Sequence, residues 1–305
     1  AKSIRFDSAH KRTPERGEVG NLIFKMPGNI RKPRRLLMAH LDTVPICVGS
    51  QPVRKGNLVR SADPETGLGA DDRAGAAVVL NAALRILKDD LPHPPLTFFW
   101  TVQEETGLQG ARCASIGQLG RPRLAFNFDG GSPDKLTIGA TGGYRLAIDI
   151  HGIASHAGGA PEKGVSAIAI AALAIADLQR AGWHGDIVKQ GKHGTSNVGL
   201  IAGGEATNVV TDHVFVRAEA RSHDASFRKK IVKQIEAAFQ RAAKEVKNVE
   251  GKHGKVSIEG RLDYDSFALP RDEPCVVAAA AAVESLGREP ELAIANGCVD
   301  ANWMV

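Results

Sequence analysis

His40 and Asp42 stand two residues apart in "MAHLDTVP" (38–45), at the end of an apolar run. In a strand, residues i and i+2 face the same way. The imidazole and the carboxylate therefore share a side, and Asp42 can accept the imidazole's second N–H, the usual way of orienting a metal-bound histidine. Glu104 and Glu105 are adjacent in "VQEETGLQGA". In a regular strand they point to opposite sides, so that one can bind metal while the other handles protons. Asp71 opens the segment that follows the Gly-rich "TGLGADD", and Asp129 closes "FNFDGG". One imidazole with several carboxylates is a ligand set for Zn²⁺, with Co²⁺ or Mn²⁺ as alternatives. A carboxylate can bridge two such ions, and a two-metal site clamps an attacking water and polarises a carbonyl. Each acid taken singly reads as a cap or a solvated group. Acids gathered at the ends of apolar strands are costly to desolvate unless paired or metal-bound.

The elements that must position these residues are legible too. "RRLLMAHLD" (34–42), "LTFFWTVQEE" (96–105) and "RLAFNFDGG" (123–131) read as buried strands, and 71–90 as a helix with apolar residues at helical spacing. Strands that are apolar nearly throughout and alternate with helices predict an α/β fold, a mostly parallel sheet with helices on both faces. Sites in such sheets form outside the carboxyl ends of the strands, where His40, Asp42, Glu104, Glu105 and Asp129 fall. After Gly142 the pattern changes. Strand 142–152, helix 165–182, strands 196–204 and 213–222, amphipathic helix 225–248 and strand 254–264 follow in turn. This β-α-β-β-α-β order is the ferredoxin-like split unit, and it predicts an inserted α+β lid domain. From about 274 a helix and a strand-like "ELAIANG" return to the first domain. The expected division is 1–141 for the first part of the catalytic domain, 142–264 for the lid and 265–305 for the returning part.

Bulk properties narrow the class. The chain has 305 residues, 43% hydrophobic and 24% charged, with a net charge of +5. Basic residues are scattered apart from Ile30–Arg35 and a Lys-rich stretch near 229–255, which reads as solvated surface and not as a nucleic-acid patch. No apolar run reaches transmembrane length, so no membrane partner is expected. The 4 cysteines lack any C-x-x-C spacing. That argues for free thiols in a reducing, cytoplasmic compartment and against a zinc knuckle or disulfide framework. His151, His193, His213, His223 and His253 have no sequence-visible partners and read as surface or lid residues.

"MAHLDTVP", "LGADDRAG", "VQEETGLQGA", "FNFDGG", "GIASHAGGAPEKGVSAI", "GGEATNVVTDHVFVRAEAR" and "NGCVDANW" occur in this order over nearly the whole chain. Together they resemble the co-catalytic zinc exopeptidases, the family of peptidase T, aminoacylase and glutamate carboxypeptidase. The resemblance implies two Zn²⁺ ions. His40 and Asp129 would bind one, Asp71 would bridge both and Glu105 would bind the second. Glu104 would be the general base for a bridging water, Asp42 would orient His40, and the Asp71–Asp72 peptide would be cis. It further implies a homodimer formed through the lid, by its sheet or its 165–182 helix. His156 would reach into the partner subunit's site to hold the substrate carbonyl, and Asn208 and Arg221 would bind substrate. Read without the resemblance, His156 is a surface-loop histidine. "GADDRAG" looks closest to the peptidase T branch, which favours an aminopeptidase acting on short peptides such as tripeptides. A deacylase or carboxypeptidase of the same family, and an inactive scaffold that dimerises through its lid, stand as alternatives. The family's last metal-binding histidine would lie after "DANWMV", so the second zinc's remaining ligand is expected beyond Val305.

Overall fold

The computed structural model describes residues 2–305. The chain divides into two compact units, one of residues up to Gly139 together with Ala268–Val305, the other Ala140–Phe267.

The first unit is built on a five-stranded sheet. Its strands are β1 (Ser3–Phe6), β2 (Leu22–Met26), β3 (Arg35–His40), β4 (Leu96–Thr101) and β5 (Leu124–Asn127), in the order β1-β2-β4-β3-β5. The sheet is mixed. β3 runs parallel to β4 and β5, while β2 is antiparallel to β1 and β4. The parallel half follows from the crossover through helix α1 (Ala70–Lys88), which carries the chain back to start β4 beside β3. All of β4 is buried, as its unbroken apolar run requires of a strand covered on both faces. Phe98 and Trp100 face α1, packing with Phe24, Ala39, Ala76, Val79 and Ala83. Phe99 points the other way, to Ile23, Leu36, Met38 and Leu119. The register sets Ala39 beside Trp100 and His40 beside Thr101, so β3 and β4 end together.

β4 stops at Thr101, short of the span 96–105 that its apolar pattern suggests. Gln103 adopts a positive φ of 57°. The Gly107 and Leu108 amides then bond back to the Glu104 carbonyl, at 2.9 and 2.8 Å. Glu104 and Glu105 therefore lie in a tight turn. Their directions are set by that turn and not by strand alternation.

The second unit is built on a five-stranded antiparallel sheet with helices on one face. Its elements are β6 (Gly142–His151), α2 (Ala167–Arg180), β7 (Gly185–Lys189), β8 (Lys192–Gly203), β9 (His213–Ser222), α3 (Ala225–Glu245) and β10 (Lys255–Tyr264). The strand order is β7-β8-β9-β6-β10, the ferredoxin-like arrangement with β7 added as an edge hairpin that sequence periodicity did not reveal. Leu146, Ile148, Ile150, Val214 and Val216 meet Ile170, Ala174, Ile231, Ile235 and Phe239 of the helices. Ser166 caps α2 by accepting from the Ala169 amide at 3.1 Å, and Asp224 caps α3 through the Phe227 amide at 2.8 Å. The first and last strands of this unit are neighbours, with Gly143 opposite Tyr264.

The returning segment adds helix α4 (Pro274–Glu284) and a strand Glu291–Ala295 to the first unit. Among the described residues no helix is long and apolar enough to cross a membrane.

Candidate metal centre

His40 is the last residue of β3 and is 1% exposed. Its Nδ1–H donates to the backbone carbonyl of Asp42 at 3.0 Å, with the Asp42 carboxylate further off at 3.5 Å. Nε2 is thereby left to face Asp71 Oδ1, 3.0 Å away. Donor atoms of His40, Asp71 and Asp129 all lie within 4.8 Å of one another. Three segments far apart in the sequence thus converge on one point.

α1 places Asp71. It begins after Gly69, whose φ is +74°, and the Asp71–Asp72 peptide is cis, as the resemblance implies. Asp72 is 1% exposed. Its carboxylate accepts from the His40 backbone amide and the Gly75 amide, both at 3.1 Å, which ties α1 to the end of β3. At Gly75 an added Cβ would sit 1.8 Å from the Phe128 carbonyl oxygen. Only glycine lets α1 approach the backbone that carries Asp129.

Asp42 meets the His40 ring at hydrogen-bonding distance through its backbone carbonyl and not through the carboxylate that the sequence suggested, and the carboxylate has other partners. Its two carboxylate oxygens accept from the Glu104 and Glu105 amides at 3.0 and 3.1 Å. The turn bearing both glutamates hangs on this one side chain. From the other side it is fixed by Asn21, which accepts from the Val102 amide at 3.1 Å and donates to the Gly110 carbonyl and the Asp7 carboxylate, each at 2.9 Å. Gly110 is needed there, since a Cβ would meet the Val102 carbonyl at 2.2 Å. The carboxylate of Glu105 lies outside the group formed by His40, Asp71 and Asp129, although Asp71 acts on it electrostatically.

The charges are crowded. Burial and the neighbouring Asp300 push Glu104 up to about 8. Burial and Asp129 raise Asp72 to about 7. Burial also lifts Glu105 and Asp129, each with help from the Asp71 charge. Burial alone would lower His40, but its bond to Asp42 and the charges of Glu104 and Asp129 outweigh that and raise it to about 10. Asp42 stays below the usual carboxylate range. Burial opposes this, and the bonds from His40 and the two glutamate amides overcome it. Such congestion is what a divalent cation relieves, since its charge inverts the local pKa logic. A buried imidazole nitrogen and carboxylate oxygens converging on one point suit Zn²⁺ or a related ion.

Sequence reasoning passed over Asp300, Asp72 and the Asp7–Asn21 pair. Asp300 is 1% exposed and accepts a short hydrogen bond from Thr101 Oγ1. Its Oδ1 is buried with no hydrogen-bond partner among the described residues. Burial raises its pKa to about 7. Asp72 and Asp300 both lie inside quoted motifs, "LGADDRAG" and "NGCVDANW". Asp7 and Asn21 carry no such signal.

The remaining predicted residues belong to the second unit. Ser155–His156 pairs with Val209–Val210, and the Ala157 amide bonds to the Asn208 carbonyl at 2.8 Å, so His156 and Asn208 are brought together. His156 is exposed. Its Nδ1 accepts from the Gly158 and Gly159 amides at 3.1 and 2.9 Å. That fixes the tautomer, and Nε2 carries the proton as an outward donor. Arg221 lies on β9, in a two-pronged pair with Glu219 at 2.9 and 3.1 Å.

The chain is similar to known proteins in sequence and fold. Residues 21–152 match the model of peptidase family M28, and residues 138–247 match that of the peptidase dimerisation domain. A tripeptidase from Staphylococcus aureus is 31% identical, with a TM-score of 0.87 over 100% of this chain and 77% of its own. The aminopeptidase PepT of Bacillus cereus is 33% identical, with a TM-score of 0.82 over 99% of this chain and 77% of its own. The Bacillus subtilis protein YqjE is 31% identical over 93% of this chain and 73% of its own length. Fungal proteins named probable carboxypeptidases match over shorter stretches, and the chain spans about half of their length.

Proposed function

Since the chain belongs to the zinc exopeptidase family that includes peptidase T, and is a metal-dependent peptidase, we propose that it removes the N-terminal residue from short peptides such as tripeptides. The observation that carries this reading is the convergence of His40 Nε2, Asp71 and Asp129, with the Glu104–Glu105 turn hung beside them on Asp42. The aminopeptidase choice is supported by likeness to the tripeptidase and PepT along the whole chain, whereas the carboxypeptidase matches are partial.

In this reading His40 and Asp129 would hold one Zn²⁺, with Asp71 common to it and to a second ion that Glu105 would help to hold. Bound there, the ions supply a Lewis acid for the peptide carbonyl and lower the pKa of water. Glu104 takes the proton from the attacking water and returns it to the departing amine. Its pKa of about 8 falls when positive charge sits beside it, toward the range where a base works at neutral pH. Asp42 holds Glu104 and the His40 ring in place together. The match to a peptidase dimerisation domain supports a homodimer in which the lid of one subunit offers the His156 Nε2–H to the other subunit's substrate carbonyl. Asn208 and Arg221 hold the peptide.

The test is hydrolysis of an unmodified tripeptide against the same peptide acetylated at its N-terminus, with product identity read by mass spectrometry in the presence of Zn²⁺. Release of the first residue from the unmodified peptide alone is expected. Release of the C-terminal residue, or preferential cleavage of the acetylated substrate, would move the assignment to the carboxypeptidases or deacylases.

A further inference from the structure

The open face of the lid sheet carries a second group of metal-ligating side chains. Ile148 and Ile150 of β6 pack against the helices. Strand alternation therefore puts Asp149 and His151 on the opposite face. β9 sets His213 directly across from His151. The two imidazole rings lie 5.0 Å apart, tilted by 32°. His213 Nε2 is 3.0 Å from Asp149 Oδ1, and donor atoms of all three residues fall within 4.8 Å of one another.

We propose that Asp149, His151 and His213 form a site for a divalent transition-metal ion of the imidazole-preferring class, with Zn²⁺ the natural occupant. Tetrahedral zinc with bonds of about 2.0–2.2 Å needs donors roughly 3.3 Å apart. The His213–Asp149 pair is close to that spacing at 3.0 Å, and a His151 donor lies within 4.8 Å of both. An isolated surface His–Asp pair would account for the 3.0 Å contact. It would not account for a second imidazole set against the first on a paired strand. Two histidines and a carboxylate leave a fourth position for water, which the half-exposed side chains of His213 and Asp149 keep open. The adjacent strands of a sheet hold the three Cβ positions more firmly than a loop would. Two basic neighbours oppose a cation, Lys255 and Arg217, the latter drawn over the ring of Phe215, which pairs with Asp149. Lys255 of β10 is the other cross-strand partner of His151, and its flexible stem can carry the ammonium out into solvent. The assignment uses none of the residues at the end of β3 and is independent of the peptidase reading.

The experiment is equilibrium dialysis of the chelator-treated full chain against micromolar free Zn²⁺, followed by elemental analysis of bound zinc. The proteins compared are the wild type, His151→Ala, His213→Ala and Asp71→Asn. Each histidine variant is expected to bind one zinc equivalent fewer than the wild type, with an unchanged melting temperature in chelator and unchanged tripeptide hydrolysis. Asp71→Asn, altered at the other centre, is expected to keep that lid equivalent. If His151→Ala and His213→Ala bind as much zinc as the wild type, or if Asp71→Asn binds none, the lid site is refuted whatever the peptidase assay shows.

Discussion

The two histidine–carboxylate groups of this molecule use the same donors on different foundations. At the end of β3, His40 is 1% exposed, and its companions come from α1, the turn after β4, the loop after β5 and the returning segment near Asp300. On the lid sheet, His151, His213 and Asp149 come from two adjacent strands, with the His213 side chain 50% exposed. Water can satisfy the second group without a metal. The first group cannot be satisfied that way, because its acids are crowded and burial raises the cost of every charge. Burial and crowding therefore favour a cation more strongly at the first group than at the second.

That contrast is broken or sharpened most strongly at Glu104. Glu104→Gln keeps the shape of the side chain but cannot accept a proton, so turnover should fall ~10²–10⁴-fold with bound zinc unchanged. Glu105→Gln should instead weaken zinc binding. If elemental analysis and kinetics gave the reverse pattern, the two roles would have to be exchanged. Asp42→Asn comes next. It loosens His40 and both glutamate amides together, and metal affinity or activity should drop ~10–100-fold. An unaffected Asp42→Asn enzyme would mean that the turn is held by the Asn21 network alone.

The third test is the pH dependence of stability. Glu104, Asp72 and Asp300, raised to about 8, 7 and 7, keep protons in the folded state that the unfolded chain has released at around pH 4. The folded state binds more protons in that window, so the metal-free protein should lose stability as pH rises from about 4 to about 8. His40, raised to about 10, acts in the same direction. Its contribution is complete below about 6.5 and fades as pH rises toward its folded value. Zn²⁺ reverses the repulsion, so the rise in melting temperature that it causes should grow over the same interval. A metal-free melting temperature that climbs between these limits would contradict the picture of crowded acids. The smallest effect is expected at the lid. Ser166→Ala removes the α2 cap and should cost about 0.5–2 kcal/mol of that unit's stability in denaturant melts, without altering zinc binding at the end of β3.

Much of this was legible in the sequence, and the reasons differ by residue. The apolar run ending in His40 marked a strand end because β3 is buried on both faces; the run ending in Asp129 was read as buried too, but β5 is a half-exposed edge strand that stops at Asn127. The lid order could be read because its strands and helices alternate with clear periods. Alternation failed at Glu104 and Glu105, since a positive φ at Gln103 ends the strand and a turn takes over. The parallel bias also failed for β1 and β2, whose pairing is antiparallel. Nothing local distinguishes Asn21 from an ordinary polar residue, and Asp300 is marked only by lying inside "NGCVDANW". Their importance comes from contacts to Thr101 and Val102, distant in the chain. The pairing of His151 with His213 was hidden for the same reason, because cross-strand register is not written in either strand alone.

The neighbouring first and last strands of the lid bear on how the chain reaches this structure. The first unit is interrupted by Ala140–Phe267, and bringing Asp300 to Thr101 across so long a flexible insertion would carry a large loop-closure entropy. Once Gly143 lies opposite Tyr264, the insertion's two ends are already side by side. The folded lid then acts as a short staple in the first unit's chain. The lid, continuous in sequence and complete before the returning segment is synthesised, is expected to fold first, and the Asp300–Thr101 contact to close last. Mutations that unfold the lid should therefore slow assembly of the metal centre even where they touch none of its residues.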